Sequence, residues 1–483
     1  MISAPEFLQR LESIVGAAHV RHDEAGLADY THDATFMEAP LLAAVLPAST
    51  EEVAAVVRLC AETGTPITAR GAGTGLAGGP VPLGHGIVLS TERLLKLEID
   101  GPNLMAVAGT GVITGTLDEA AEAHGLMYPP DPASVGLSSI GGNVACNSGG
   151  MRCIKYGVTA DYVVGMTVVL ADGTILNLGG KLRKRASGYR LIQLFVGSEG
   201  TLGIVTEVIV KLVPRPRFAS TAMVGFAAIE DAAEAVARLM GSGHFPAALE
   251  IVDRDALELV AEHLPPGFKP DLGAVLIVEQ DGNDREQVLT QLIEIVELLD
   301  GIDNRVAQTE VERAGIWKAR RQFGHILREL RANVFSEDIA VPISQVPEMV
   351  RRFRALGLQH GMRIATVGHA GDGNLHPTLV FTEEQRPLVG PIVNEIFRDA
   401  IELGGSVSAE HGLGALKRDF AELEHGPDAI ALMRRIKDVL DPQGILNPHK
   451  VFPELPPDGS FLDNQPGWGA TLASGKDRSE VGA

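Results

Sequence analysis

The chain is short of several features that would place it in common protein classes. No stretch approaches the roughly eighteen uninterrupted apolar residues that a membrane-spanning helix needs. Its 483 residues include 3 cysteines, Cys60, Cys146 and Cys153. They are odd in number and lack metal-ligand spacing, which fits a reducing cytoplasm. Positive charge is also scarce. Lysine and arginine total 41 against 62 acidic residues, a formal net charge of −21. That surface repels nucleic acid and anionic lipid, so an anionic substrate needs a local cation. The opening residues, Met1 to Gly16, carry Glu6, Arg10 and Glu12 among apolar neighbours and do not read as a signal peptide. Nothing resembles a nicotinamide site or an iron–sulfur cysteine cluster.

The length predicts two large domains, or one large and one elaborated domain. An apolar content of 45% is that of a globular core. Glycine is abundant and gathers in motifs. Between Gly368 and His376 the sequence reads G-H-A-G-D-G-N-L-H, and further on comes Ser408-Ala409-Glu410-His411-Gly412. Gly371 and Gly373, with positive φ open to them, can fold the chain back so that His369 and His376 face one point. Imidazoles with a carboxylate suit a borderline divalent cation: zinc first, manganese or iron next. The competing reading is a glycine turn with two hydrogen-bonded histidines. Asp372 reads as a turn former.

Thr50, followed by Glu51 and Glu52, marks a helix start with Val53, Val56, Val57 and Cys60 on one face. Pro66 to Ala69 is then a short strand, a step typical of an α/β layer. Gly73, Gly75 and Gly78 in Arg70–Pro80 satisfy G-x-G-x-x-G, yet Gly79-Pro80-Val81-Pro82 cannot build the helix a dinucleotide fingerprint requires. The loop can instead present backbone N–H groups to phosphate as a nest, ahead of a strand Gly86–Ser90. Tyr128-Pro-Pro-Asp-Pro132 and Ser138–Gly150 support a large, flat cofactor with a charged tail, the glycines allowing close backbone approach and Ser139 and Asn143 offering donors and acceptors; the competing reading is two loops of a glycine-rich protein. A hairpin follows at Asp161–Leu170 and Thr174–Leu178, then an alternating strand Ile204–Leu212. The basic run Lys181, Arg183, Lys184, Arg185 is read as a solvated loop.

The succession R-G-A-G-T-G-L, P-P-D-P, I-G-G-N-V-A, G-S-E-G-T-L-G-I-V-T-E-V, G-D-G-N-L-H, S-A-E-H-G and L-N-P-H-K resembles the FAD-linked 2-hydroxy-acid dehydrogenases. These are enzymes of the glycolate oxidase, D-lactate dehydrogenase and D-2-hydroxyglutarate dehydrogenase kind. The resemblance implies an α+β fold: a two-subdomain FAD-binding domain of the vanillyl-alcohol-oxidase type, with an α+β cap on an antiparallel sheet. It places the FAD domain at 1–216, the substrate or cap domain at 217–410 and a helical region returning to the flavin at 411–455. The remainder, 456–483, is expected to be a mobile tail.

It also implies cofactor contacts at Arg70, Gly71, Ala72, Gly73, Thr74, Gly75 and Leu76 around the pyrophosphate. Pro130, Asp131 and Ser134 would lie along the flavin, and Ser139, Gly141, Gly142, Asn143 and Gly149 around its ribityl and phosphate portions. Ile204 and Val205 would meet the adenine end, and Asn447 the isoalloxazine. Ala72 and Thr74 stand in a loop where some relatives carry the flavin on a histidine, so the FAD is expected to be non-covalent. Arginine at Arg190, in Ser187-Gly188-Tyr189-Arg190, replaces an expected aspartate and touches only a local loop contact.

In the second half, Pro214-Arg-Pro216 reads as a domain break. Helices are predicted over Ile229–Met240 and Arg285–Leu299, with a strand Gly273–Glu279 between them. Arg313, Trp317, Arg320 and Arg321 share a further helix, and Glu337–Pro342 reads as a strand at the pocket edge. The resemblance makes Arg320 the anchor of a substrate carboxylate, a bond a guanidinium makes bidentately. Ser336 stands where the D-2-hydroxyglutarate enzymes carry lysine, which argues against a second carboxylate in the substrate.

Oxidising a 2-hydroxy acid to the 2-oxo acid requires removal of the hydroxyl proton while the C2 hydride moves to flavin N5. The expected assignment is a divalent metal on His369, His376 and Glu410, His411 as general base and Thr378 lining the pocket. A strand would throw Glu410 and His411 to opposite faces, so Gly412 must bend the chain to re-aim them. Reduced flavin would discharge to an electron-transfer protein, an iron–sulfur partner subunit or a quinone. The expected location is cytoplasmic, with membrane association only peripheral and through a partner, and the cap domains of the family often pair as homodimers. Two further readings remain: a non-redox FAD enzyme on the same scaffold, and a non-catalytic flavin subunit.

Overall fold

A computed structural model describes residues 2–35, 37–259, 261, 272–329 and 334–454; the expected tail, 456–483, lies outside them. The chain forms two compact units. One comprises Met1–Ser148, Val158–Pro214 and the chain from Glu410 onward, the other Gly149–Gly157 and Arg215–Ala409.

The first unit holds two sheets. In one, Ala43–Val45, Ile87–Ser90 and Ile67–Arg70 run parallel, and Val20–Arg21 adds an antiparallel edge. The helix expected after Thr50 spans Thr50–Thr63, with Ser49 as its cap accepting the Glu52 N–H and Gly64 in the left-handed region closing it. Its Val53, Val56, Val57 and Cys60 pack with Phe7 and Leu11 of the helix Ala4–Val15 and with Ile67, Ile87 and Leu89 of the sheet. Burying one such side chain contributes roughly 1.5–3 kcal/mol. The other sheet is antiparallel, in the order Leu97–Asp100, Met105–Gly109, Ile204–Lys211, Val163–Val169, Ile175–Gly179. The predicted hairpin and the predicted alternating strand are its last three members. Ile204–Lys211 alternates buried and half-buried residues throughout.

The second unit is built on an antiparallel sheet in the order Asp303–Val306, Phe218–Phe226, Ala274–Gly282, Ala248–Asp253, Arg363–His369, Asn374–Val380, Val334–Ser336. Helices Ile229–Met240 and Arg285–Leu299 match their predicted bounds and pack on it. A third helix, Glu310–Glu329, lays Ile316, Trp317 and Phe323 against Val252, Val275, Ile277, Ala365 and Val367. With both faces of the strand Ala274–Gly282 covered, its first seven residues are buried without alternation.

Two sequence expectations need correction. Ser138–Gly150 is not all loop: Ile140–Cys146 is a helix, capped by Ser139, whose hydroxyl accepts the Gly142 N–H, and ended by Asn147 in the left-handed region. Gly141 and Gly142 disguise it because glycine has poor helix propensity, but the Ser139 cap and the buried Ile140 and Val144 outweigh that. Glu337–Pro342 is not a continuous strand. Only Ile339–Ala340 pairs, with Leu375 and Asn374, because Asp338 turns inward to accept hydrogen bonds from Asn374, Ser408 and Ala409.

Candidate functional site

In the first unit, the strand Ile67–Arg70 runs straight into the glycine loop, and no helix follows. Among the described residues none accepts a hydrogen bond from the backbone N–H of Ala72 through Ala77. Consecutive undirected N–H groups of this kind form a concave anion site. Arg70 does not extend a hand to that anion. Its guanidinium donates to the carbonyls of His32 (2.6 Å) and Asp29 (2.8 Å), so it anchors the loop instead. Gly71 packs against the helix Ile140–Cys146, where an added Cβ would meet Ser139 Oγ at 2.3 Å. Around Gly142 a Cβ would meet nothing nearer than that hydroxyl at 3.5 Å, leaving open space over the backbone. Gly141 must be glycine because Thr110 lies 2.6 Å from its Cβ position. Asn143 is buried and donates to Thr114 Oγ1 at 2.7 Å.

Gly73 has φ +71, and a Cβ there would strike the Arg70 guanidinium. Gly73→Ala is therefore expected to weaken FAD binding about tenfold, the left-handed conformation alone costing an alanine roughly 1–2 kcal/mol. Titration of apoprotein with FAD, followed by flavin fluorescence, checks this.

The other expected flavin contacts are placed unevenly. Pro130 is buried, with Asp131 and Ser134 half-buried after it, and the Ser134 carbonyl accepts from Leu137 and Ser138. Ile204 belongs to the apolar core with Leu89 and Ile445, and Val205 pairs with Val168 across the sheet. Gly149 is in the second unit. Asn447, at φ +41, donates its Nδ2 to the carbonyls of Gly79 (3.1 Å) and Glu199 (2.7 Å). Its buried Oδ1 has no donor among the described residues, an acceptor fitted to a ring N–H. Unused backbone donors, open space over Gly142 and this orphaned oxygen fit a phosphate-tailed, flat heterocycle such as FAD.

In the second unit the sheet itself collects the polar residues. Side chains alternate along a strand, and the register sets Glu250 opposite His369, Val367 opposite His376 and Ala365 opposite Thr378. Since Ala365 and Val367 face the helix Glu310–Glu329, so do His369, His376, Thr378 and Glu250. The two imidazoles meet edge to face with centroids 5.3 Å apart. The turn between them works through unequal glycines. Gly373 has φ +85, while Gly371 is required by close approach, its Cβ position lying 2.0 Å from Ile154.

Glu250 is fully buried. It takes His369 Nδ1 at 2.6 Å and lies 2.7 Å from Arg320 Nη2. Burial works to raise its carboxyl, but His369 and Arg320 together hold it below the usual carboxylate range. Any ligation by His369 then goes through Nε2. Arg320 Nε is a buried donor without a partner among the described residues. Two neighbours on the helix are differently engaged: Arg313 binds Glu279 and Glu310, and Trp317 Nε1 binds Glu279. His376 Nδ1 lies 3.7 Å from Asp338, and Thr378 bonds Ser336 at 3.0 Å. The sequence reading passed over Glu250 and Asp338. A signal existed for the first, a carboxylate set among Leu249, Ile251 and Val252 in an apolar strand.

Glu410 and His411 open the last segment of the first unit. They do not lie on a strand; the chain bends there and Gly412 has φ +80. The bend brings His411 Nε2 to 3.6 Å from the Glu410 carboxylate, so the two neighbours do turn the same way. Glu199 stabilises this segment by accepting the N–H groups of Leu413 and Gly414, both at 2.8 Å.

Burial pushes the Glu199 carboxyl from 4.5 up to about 7, against those two bonds and the charges of Lys450 and Lys417. A raised folded-state value gives stability that is full below pH 4.5 and is lost as pH rises through 7. Glu199→Gln is expected to flatten this fall, on the order of 3 kcal/mol across the interval. Thermal unfolding of both proteins between those limits is the measurement.

Residues 41–179 match the family described as an FAD binding domain, and 215–451 match the C-terminal domain of FAD linked oxidases. The chain is similar to the glycolate oxidase subunit GlcD of Bacillus subtilis, at 40% identity over 92% of this chain and 96% of the relative. It is also similar to the D-lactate dehydrogenase of Anaerostipes hadrus, at 36% identity over 93% and 98%. Its fold is similar to that of p-cresol methylhydroxylase, with a TM-score of 0.77 and 19% identity over 93% and 97% of the two chains. No helix among the described residues is long and apolar enough to cross a membrane.

Proposed function

The chain belongs to the FAD-linked oxidases, as an FAD-dependent oxidoreductase of the vanillyl-alcohol-oxidase fold, and on that premise we propose that it oxidises a short 2-hydroxy acid to the 2-oxo acid with the help of a divalent metal. The observation that carries this reading is the polar set on one sheet face, in which Glu250 joins His369 to Arg320 and His376 stands edge-on to His369. The names of the two relatives, glycolate oxidase and D-lactate dehydrogenase, point to the same substrate class.

The metal ligands proposed are His369, His376 and Glu410, a nitrogen and oxygen donor set that suits zinc first and manganese or iron next. When bound, FAD would supply the hydride acceptor and the metal a Lewis acid for the substrate hydroxyl. The protein's own groups do the rest. Arg320 holds the carboxylate by charge-assisted bonds and fixes which face of C2 is presented. His411, next to Glu410, takes the hydroxyl proton. Thr378 and Ser336 close the far wall with hydroxyls bonded to each other. With no lysine at Ser336, a monocarboxylate such as D-lactate or glycolate fits better than D-2-hydroxyglutarate.

The GlcD relative is named as a subunit, which supports delivery of the electrons to a partner protein or a quinone. Cysteines odd in number and without metal spacing support a cytoplasmic location. The test is anaerobic bleaching of the flavin by D-lactate, glycolate and D-2-hydroxyglutarate, with and without chelator. The expected result is bleaching by one of the first two, lost on chelation and restored by zinc or manganese. No bleaching by any hydroxy acid in metal-replete protein would overturn the reading.

A further inference from the structure

We infer that Glu250 is a positioning residue that fixes the His369 tautomer and the Arg320 guanidinium with one carboxylate, so that the orientation of the metal-side histidine and of the substrate-side arginine are set together. The inference rests on the metal reading above only for what His369 then holds; the orientation itself follows from geometry.

Glu250 sits directly opposite His369 in the strand pair Ala248–Asp253 and Arg363–His369. Its side chain is fully buried, one oxygen at 2.6 Å from His369 Nδ1 and the other at 2.7 Å from Arg320 Nη2. An ionised carboxylate only accepts, so the His369 ring must carry a hydrogen on Nδ1. Nε2 is then the nitrogen turned to a ligand. The other oxygen compensates the buried Arg320 charge, which would otherwise have none of the solvation that keeps a guanidinium stable.

Glutamine at this position makes the logic visible. It keeps the shape but offers one acceptor and one donor. If the amide NH₂ faces His369, the ring must accept at Nδ1 and move its hydrogen to Nε2, the ligating nitrogen. If it faces Arg320, two sets of donors oppose each other. Either way the shared orientation is broken. A carboxylate behind a ligating histidine is typically worth about 10–100-fold in metal affinity.

The experiment compares wild type, Glu250→Gln and the double variant Glu250→Gln/Arg320→Met as FAD-loaded full-length chains. The double variant removes both buried charges, so any fold lost by stranding Arg320 is recovered. Ring carbon shifts of labelled histidine, assigned with His369→Asn, report the His369 tautomer in metal-free protein, and chelator competition reports zinc affinity. The expected result is an Nε2–H ring in Glu250→Gln, where Arg320 holds the amide oxygen, and an Nδ1–H ring in wild type and in the double variant, whose amide is free to turn its oxygen to His369. Zinc should bind Glu250→Gln about 10–100-fold more weakly than wild type, and the double variant should unfold near the wild-type temperature. A tautomer unchanged in Glu250→Gln would overturn the inference. A tautomer that shifts in Glu250→Gln, together with a wild-type protein that binds no zinc, would leave Glu250 as the positioning group and remove the metal reading alone.

Discussion

His376→Gln is expected to cut turnover of the true substrate by about 1,000-fold or more while the flavin stays bound. A Lewis acid at the reacting oxygen is worth several kcal/mol of barrier, and each 1.36 kcal/mol is a factor of about ten. Glutamine preserves much of the volume of a side chain only 11% exposed and packed edge-on to His369, so loss of fold will not imitate loss of metal. His376 lies in the second unit and the glycine loop with its unused N–H groups in the first. Flavin absorbance and FAD content should therefore be unchanged while bound metal, by elemental analysis, falls to background. Turnover within tenfold of wild type, with the metal retained, would remove His376 from the ligand set.

Arg320→Lys is expected to raise KM for the 2-hydroxy acid about 10–100-fold, with a smaller change in kcat. A charge-assisted hydrogen bond in a buried site contributes roughly 1.5–3 kcal/mol, and lysine keeps the charge but not the planar fork. Arg320→Met should add a stability loss that the lysine variant lacks. It leaves the fully buried Glu250 carboxylate beside His369 without its cation, a defect of about 3–5 kcal/mol. Steady-state kinetics on the lysine variant and thermal unfolding of both variants separate the two roles. A lysine variant with wild-type KM, and a methionine variant of full stability, would together show that Arg320 serves neither.

Much of the fold could be read because periodicity and punctuation agreed locally. The helices Ile229–Met240 and Arg285–Leu299 begin and end where their apolar spacing does. Gly79-Pro80-Val81-Pro82 forbids a helix after the glycine loop, and none forms there. Where local signals conflicted, the reading failed. Gly141 and Gly142 weigh against a helix, yet Ile140–Cys146 forms on the Ser139 cap and the burial of Ile140 and Val144, with Thr110 leaving no room for a Cβ at Gly141. Asp338 sits in a segment of strand-like composition, but the donors it binds come from Asn374, Ser408 and Ala409, distant in the chain.

The candidate site divides in the same way. Residue type and order alone picked out the loop at Arg70–Leu76, the pair His369 and His376 and the Glu410–His411 step, because glycine turns and imidazoles announce their chemistry one residue at a time; Arg320 was singled out by the family resemblance. What each of them touches was settled only by tertiary structure. Arg70 turned out to bind carbonyls, Gly371 to yield to Ile154, and Glu250 to stand between a histidine and an arginine far from it in sequence. The physical reason is that local chemistry sets what a side chain is able to do, whereas strand register and burial choose its partner. A buried carboxylate must find its compensating charges wherever the sheet brings them.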